Sequence, residues 1–222
     1  MTVDGPRTGS RQLLNVLKAH AAPREPALSL AVGRPVEALL RPVATREGRL
    51  NPQDVSALTA WRNRFVHSFL TEFEANEART SRWLTQAIDP DDTRILFMVD
   101  DAHDGRPIGY MGVAFIDWER GSGEADAVVR GGDAPPGLMT LALRTMLTWA
   151  RDHLELVEIG VRVRSDNTAM IFYRKFGFQE VKRVPLRRIE THDMVRWIED
   201  ESLQSAEASL VHMALPADRL ER

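Results

Sequence analysis

The strongest constraint on the fold is a change of hydrophobic period between residues 124 and 163. Glu124–Val129 has the composition of a strand and runs into residues 130–137, which are rich in glycine and proline. Apolar residues then recur with the spacing of one buried helical stripe, at Met139, Ala142, Leu143, Met146, Leu147 and Ala150. The next segment indicates a strand, because polar residues or glycine alternate with Val157, Ile159, Val161 and Val163.

Local signals place further elements on both sides of this unit. Asn51 followed by Pro52 is typical of a helix start, and Asp89-Pro90 marks the end of a second helix. Gly177 suits the end of a short helix at residues 168–176. Apolar runs predict the remaining strands, at residues 28–32, 36–40, 95–99, 108–116, 178–189 and 210–215.

These elements predict a single domain over residues 28–222, because no internal repeat and no linker separates them. Residues 1–27 are interpreted as a loosely attached leader, with a helix packed on the domain or on a partner as the alternative. Residues 191–208 are polar and acidic and are interpreted as an excursion from the sheet.

Composition and charge exclude several classes of protein. The net charge is −3, whereas a dedicated nucleic-acid binder shows a basic face, so no nucleic-acid partner is expected. No stretch reaches the roughly 18 apolar residues of a membrane-spanning helix, and the first thirty residues lack a signal-peptide core. We therefore expect a cytoplasmic location and no membrane partner. The absence of cysteine rules out disulfides, thiolate metal sites and a cysteine nucleophile.

Three segments resemble the GNAT superfamily of acyl-CoA-dependent N-acetyltransferases. The most specific, residues 165–178, is similar to the Asn…Ala…Tyr…Gly-Phe segment that follows the family's fifth strand. The second, residues 130–139, lies where the family places its pyrophosphate loop. The third is similar to the substrate-side helices of Rim-type acetyltransferases and of enzymes acting on nucleotide-linked amino sugars, and it contains Trp61, Arg62, Asn63, Phe69 and Trp83. The resemblance implies an α/β fold with a mixed, mostly antiparallel central sheet flanked by helices.

The resemblance also implies acetyl-CoA as the acetyl donor. A helix start directs backbone N–H groups and partial positive charge outward, which suits a diphosphate, and Gly137 lets phosphate oxygens approach the backbone. The loop departs from the family pattern, since Pro135 and Pro136 remove two donors and Asp133 adds negative charge. The expected cofactor-binding residues are Val128, Val129, Arg130, Gly137, Leu138, Met139 and Asn167. Val128 and Val129 are expected to act through their backbone, which would pair with the pantetheine amides like an added strand. For Asn167, a plain helix N-cap is the alternative.

Without a cysteine, direct attack of the bound amine on acetyl-CoA is the remaining simple route. The resemblance places Tyr173 beside the thioester sulfur as general acid, and packing like that of Phe172 is the alternative. Glu124 and Asp126 are two positions apart on the strand that approaches the cofactor, so their side chains point to the same face. Either could accept the proton from the acceptor ammonium group. Surface charge without a catalytic role is the alternative for both.

The resemblance places the acceptor against the first helix and the segment after it. The expected substrate-binding residues are Arg62, Asn63, His67, Phe69 and Glu72, of which His67 and Glu72 are further candidates for the base. The implied acceptor is a primary amine on a small molecule, preferentially an amino sugar or sugar nucleotide.

Two alternatives to this function stay open. One is a Rim-type enzyme that acetylates a protein N-terminus, and the other is a non-catalytic GNAT-like module that binds acyl-CoA. His192, Asp193 and His212 do not form a metal-ligand set, so no metal is expected. The oligomeric state is left open, with a homodimer as one form.

Overall fold

The computed structural model describes residues 7–21 and 28–220. Its helices are α1 Thr8–His20, α2 Pro52–Arg64, α3 Glu77–Trp83, α4 Leu138–Leu154 and α5 Ala169–Phe176. Its strands are β1 Leu30–Val32, β2 Ala38–Pro42, β3 Thr71–Glu72, β4 Ile95–Asp101, β5 Pro107–Asp117, β6 Ser122–Arg130, β7 Glu158–Arg164, β8 Gln179–Glu190, β9 Val195–Glu199 and β10 Ser209–Leu215. No helix within the described ranges has both the length and the apolar character needed to cross a membrane.

The strands form one sheet in the order β1-β2-β4-β5-β6-β7-β10-β8-β9-β3. Among the described strands only β6 and β7 run parallel, and the other neighbours are antiparallel. The long helix α4 connects the parallel pair, as a crossover between parallel strands requires. The mixed, mostly antiparallel sheet expected from the sequence is therefore confirmed.

The parallel pair opens towards its carboxyl end. Pairing of β6 with β7 covers only Ser122–Ala125 and Glu158–Val161, whereas β6 stays paired with β5 to Arg130 and β7 stays paired with β10 to Arg164. The last residues of β6 and β7 therefore line two sides of an opening in the sheet.

A β-bulge in β6 marks the start of this opening. Asp126 lies opposite Gly112 and Val129 lies opposite Tyr110, so three residue steps on β6 match two on β5. Ala127, inside the bulge, has φ +53°, a left-handed conformation that is uncommon outside glycine. The extra residue keeps Asp126 and Val129 on the same face of the sheet.

Helices cover both faces of the sheet. The predicted stripe of α4 is confirmed: Ala142, Leu143 and Met146 are fully buried against β1, β2 and β5 in the larger core. On the opposite face, α2 and the turn that follows α3 pack over a second core that contains Leu58, Trp61 and Tyr110.

Polar contacts fix α2 on the sheet. Asn51 caps it as expected, because its Oδ1 accepts a hydrogen bond from Gln53 N at 3.0 Å. Arg41 of β2 lies between Asp54 of α2 and Asp100 of β4, with N–O distances of 2.9 and 2.6 Å. All three charged groups are buried, so this network holds the start of α2 in one place.

The amino-terminal helix differs from the predicted loose leader. Helix α1 packs on the domain: Leu14 is fully buried, and the buried Lys18 Nζ donates hydrogen bonds to Ile88 O, Asp89 O and Asp91 O. These carbonyls follow the end of α3, where a π-helical turn, Leu84–Ile88, leaves them open to a cation. Residues 1–6 and 22–27 of the predicted leader lie outside the described residues.

The polar segment at residues 191–208 also contains more order than an excursion suggests. Strand β9 pairs with β8 on one side and with β3 on the other. The segment thus brings Trp197 against the loop that follows α2, where Trp197 N donates to Leu70 O at 2.8 Å.

Candidate active site

A cleft of about 270 Å³ lies between the end of β6, the start of α4 and helix α5. It brings together five of the residues predicted from the sequence: Val128, Arg130, Gly137, Met139 and Tyr173. The cleft borders the carboxyl end of β6, beyond the point where β6 and β7 cease to pair. The groove thus offers the Arg130 side chain and the start of α4 to an anionic group, and it offers apolar side chains to the rest of an elongated ligand.

Sequence reasoning missed four residues of this cleft: Pro135, Thr140, Ala169 and Phe172. The signal for the last two was present, because Ala169, Phe172 and Tyr173 are three and four positions apart and thus share one face of α5. Thr140 lies in the first turn of α4.

The side chains of three predicted cofactor residues have other surroundings, and the backbone role expected of Val129 stays a prediction. Leu138 is 1% exposed in the larger core, and the Val129 side chain packs in the second core, on the opposite face. Asn167 accepts a hydrogen bond from Ala169 N at 2.8 Å and donates to Ser68 O at 3.3 Å. The alternative interpretation of Asn167, a residue that orders the start of a helix, matches these contacts.

Gly137 gives the loop its shape. Its φ is +87°, and a Cβ built there would meet nothing within 4 Å, so the approach to the backbone is open. Helix α4 begins at the next residue, and Thr140 N and Leu141 N both donate to Gly137 O at 3.0 Å. With the exposed Arg130 beside it, this helix start fits a diphosphate group despite the two prolines.

Tyr173 lies at the inner end of the cleft with its ring packed edge-on. The ring centroids of Phe172 and Phe178 lie 5.5 and 5.8 Å away. Burial raises the pKa of the Tyr173 phenol, and the negative charge of Asp126 raises it further. Tyr173 therefore keeps its proton at neutral pH, as a general acid must.

The two candidate bases on β6 differ in their partners. Glu124 is tied to Arg162 of β7, with Oε2 and Nε 2.7 Å apart. Asp126 is partly buried and forms no hydrogen bond or ion pair with the residues that the structure describes. Of the two, only Asp126 has a carboxylate without a partner among the described residues. It also lies at the start of the opening between β6 and β7.

Comparison with known proteins gives the family. A model described as an acetyltransferase (GNAT) domain matches residues 48–179, more than half of the chain. The chain belongs to the GNAT family of N-acetyltransferases. Enzymes of this family take the acetyl group from acetyl-CoA, in agreement with the resemblance of residues 165–178.

Solved GNAT structures share this fold at low sequence identity. A probable acetyltransferase from Chromobacterium violaceum superimposes with a TM-score of 0.66 and 16% identity over 91% of this chain and 93% of its own. Spermidine N-acetyltransferase from Vibrio cholerae, in complex with CoA and spermine, gives 0.61 and 15% over 78% and 95%. The nucleotide-linked sugar GNAT FdhC gives 0.60 and 12% over 87% and 92%. No curated protein matches the chain.

In this GNAT domain the predicted acceptor residues surround the segment after α2. Asn63 fixes the segment through its amide, which donates to Ala75 O at 2.9 Å and accepts from Ala75 N at 2.7 Å. Arg62 donates to Thr71 O and lies over the rings of Phe69 and Phe73, 3.9 and 4.5 Å from their centroids. Burial lowers the pKa of Arg62 to about 10. Asn63 and Arg62 thus fix the conformation of the segment after α2.

Glu72 is the centre of a second set of contacts. It accepts hydrogen bonds from Arg164 at 2.8 Å and Trp197 Nε1 at 2.6 Å, and the exposed His67 lies 2.7 Å from its other oxygen. Burial raises the pKa of Glu72, but these bonds outweigh it and hold the pKa at about 2. Glu72 is therefore a weak base at neutral pH. Its contacts connect the end of β7 and strand β9 with the segment after α2.

The loop at Gly137 gives a direct test of anion binding. Because φ at Gly137 is +87°, Gly137→Asp strains the backbone as well as adding charge. Gly137→Asn carries a similar strain without the charge. We expect CoA to bind the Asp variant about 10-fold more weakly than the Asn variant, measured by calorimetric titration. Equal affinity of the two variants would remove Gly137 from the diphosphate site.

Proposed function

We propose that this GNAT enzyme transfers an acetyl group from acetyl-CoA to a primary amine on a small molecule. The preferred acceptor in this proposal is an amino sugar or sugar nucleotide. The observation that carries the proposal is the cleft in which Tyr173, Arg130 and the Gly137 helix start face one groove at the opening of the sheet. Acetyl-CoA supplies the activated acyl group as a thioester.

Each end of the cleft has its own task. The start of α4 and Arg130 hold the diphosphate, which fixes the donor along the groove. The apolar residues Val128, Met139 and Phe172 exclude water from the inner end. Positioning of this kind accounts for a large part of the rate of a transfer between two bound substrates.

The proton movements are assigned to two side chains. Asp126 accepts a proton from the acceptor ammonium, which frees the nitrogen lone pair for attack on the acyl carbon. Tyr173 donates its proton to the departing thiolate. The buried phenol keeps that proton in the resting enzyme, and Asp126 has no competing cation among the described residues.

The charge distribution favours an acceptor with a single amine. Of the acidic residues around the acceptor side, Glu72 and Asp166 pair with Arg164, and Glu124 pairs with Arg162. Asp126 then offers one carboxylate to one ammonium group. A polyamine such as the spermine bound by the Vibrio cholerae enzyme would need further carboxylates for its other charges.

A thiol-release assay tests the reaction. Acetyl-CoA is incubated with glucosamine, a UDP-linked amino sugar, spermidine and a peptide with a free amino terminus. We expect CoA release with the amino sugars to exceed release with spermidine or the peptide. Faster release with the peptide would favour the Rim-type alternative, and binding of CoA without release on any amine would favour the non-catalytic module.

Ligand-dependent stability tests the donor site independently of the acceptor. A ligand that binds only the folded state at about 100 times its Kd adds about 2.7 kcal/mol to the free energy of unfolding. For a chain of 222 residues this corresponds to a rise in Tm of about 5–10 °C. An unchanged Tm in millimolar CoA, with no heat in calorimetry, would contradict the donor assignment.

A further inference from the structure

We propose that the Tyr110 hydroxyl binds the acceptor amine together with Asp126, on the α2 side of the opening between β6 and β7. This inference rests on the proposed function and names a second contact of the acceptor that the family resemblance does not supply. Tyr110 and Tyr173 are the two tyrosines of the chain, and they would act on the two substrates separately.

Strand register places Tyr110 and Asp126 on one face of the sheet. Gly112 lies directly opposite Asp126, and Tyr110 lies two residues before Gly112, so its side chain points to the same face. The intervening bulge at Ala127 shifts β6 by one residue, which brings Val129 rather than Val128 opposite Tyr110. Without the bulge, Asp126 would lie on the opposite face from Val129.

The ring of Tyr110 is held in one orientation. It stacks parallel on Trp61 of α2, with centroids 6.0 Å apart and an interplanar angle of 6°. Trp61 in turn packs on Gly131, where a Cβ would lie only 1.9 Å from the indole ring. Arg64 adds a hydrogen bond to Gly131 O at 3.0 Å, so α2, Tyr110 and the cofactor loop form one rigid unit.

The hydroxyl of Tyr110 has no hydrogen-bond partner among the described residues, as is also the case for Tyr173. Tyr110 as a whole is 4% exposed. Buried tyrosines and tryptophans usually satisfy their polar atom, as Trp118 and Trp197 do here through Asp92 O and Glu72. The Tyr110 oxygen itself is not sealed from solvent, so a ligand in the opening can reach it and form the missing hydrogen bond.

Charge around the hydroxyl fits an amine. Burial and the charge of Asp126 raise the pKa of Tyr110, against the opposing effect of Arg62, so the phenol stays protonated. Its oxygen can accept a hydrogen bond from one N–H of the acceptor while the Asp126 carboxylate accepts the proton that leaves the ammonium. The nitrogen lone pair freed by that transfer is then aimed by two fixed contacts instead of one.

The test is Tyr110→Phe, which keeps the ring and its stacking on Trp61. With glucosamine and a UDP-linked amino sugar as acceptors, we expect the acceptor KM to rise roughly 10-fold or more, since a hydrogen bond to a charged group is lost. Affinity for CoA, measured by calorimetry, should stay at the wild-type value. Tyr173→Phe is the matched comparison, because the same chemical change there should lower kcat and leave the acceptor KM unchanged.

A double-mutant cycle with Asp126→Asn separates shared binding from general damage. If Tyr110 and Asp126 hold the same amine, the combined increase in acceptor KM should be smaller than the product of the two single increases. Multiplicative effects, or an unchanged KM in Tyr110→Phe, would overturn the inference while leaving the proposed function intact. A parallel loss of CoA affinity and Tm would assign Tyr110 a structural role and also overturn it. Failure of both amino sugars to react or bind in the wild type would instead overturn the proposed function.

Discussion

In the Tyr173→Phe variant, kcat for acetyl transfer is expected to fall roughly 10²-fold, the lower end of what a general acid contributes. The substitution keeps the ring between Phe172 and Phe178 and removes only the proton donor. Affinity for CoA should change little, because the lost interaction belongs to the transition state. The measurement is steady-state thiol release with the best amine of the screen, together with calorimetric titration of CoA.

The alternatives to catalysis by Tyr173 give different results. An unchanged kcat would reduce Tyr173 to core packing and leave proton delivery to water. A large fall in Tm would show that the hydroxyl is a structural donor, and the rate could not then be interpreted as catalysis. The Tyr110→Phe variant is the control for loss of a buried phenol, since its expected effect is on the acceptor KM.

The second large effect concerns stability in acid. Glu72 has a pKa of about 2 in the folded protein and an ordinary value of 4.5. A carboxylate whose pKa is lowered by folding stabilises the protein at every pH above its unfolded value, and this contribution is lost as the pH falls from about 4.5 to about 2. The shift corresponds to about 3 kcal/mol of unfolding free energy.

Glu72→Gln tests this contribution. At pH 7 we expect the free energy of unfolding to fall by about 3 kcal/mol, because Arg164 and Trp197 lose a charged partner. The difference from wild type should shrink as the pH falls below 4.5, where the wild-type carboxylate itself becomes protonated. Urea unfolding at a series of pH values measures both quantities.

Glu74→Gln is the matched control for Glu72. Glu74 lies two residues away, is exposed, and forms no ion pair within the described part of the chain. Its substitution should change stability by less than about 0.5 kcal/mol at any pH. A loss of stability in Glu72→Gln that stays constant from pH 7 to pH 3 would contradict the role of the carboxylate charge.

The helix starts and strand patterns of this GNAT domain could be predicted because their causes are local. Asn51 accepts a bond from a residue two positions away, and the stripe of α4 depends only on the spacing of its own apolar residues. The same holds for Gly177, whose left-handed φ of +123° ends α5. Gly137 and Tyr173, which both line the cleft, follow from motifs within one loop and one helix.

The state of the charged residues could not be predicted in the same way. Glu72, Glu124 and Asp126 are equivalent candidates in the sequence, yet the first two pair with arginines of β7 that lie 92 and 38 positions away. The Glu124 pairing exists because β7 lies beside β6. The Glu72 pairing exists because β9 pairs with β3 and thereby holds Glu72 near the end of β7. A long-range contact also explains why the predicted leader contains a packed helix, since Lys18 bonds to a carbonyl 73 positions away.

The sequence by itself therefore indicated most of the helices and strands, the family, and five residues of the cleft, since each depends on neighbours along the chain. The tertiary structure decided which carboxylate has no partner among the described residues, and it placed the Tyr110 hydroxyl on the same face of the sheet as that carboxylate. A hydrogen bond or ion pair forms only between groups within about 3 Å, and the order of strands in the sheet sets those distances. Asp126 and Tyr110 became candidates for the acceptor site for that reason.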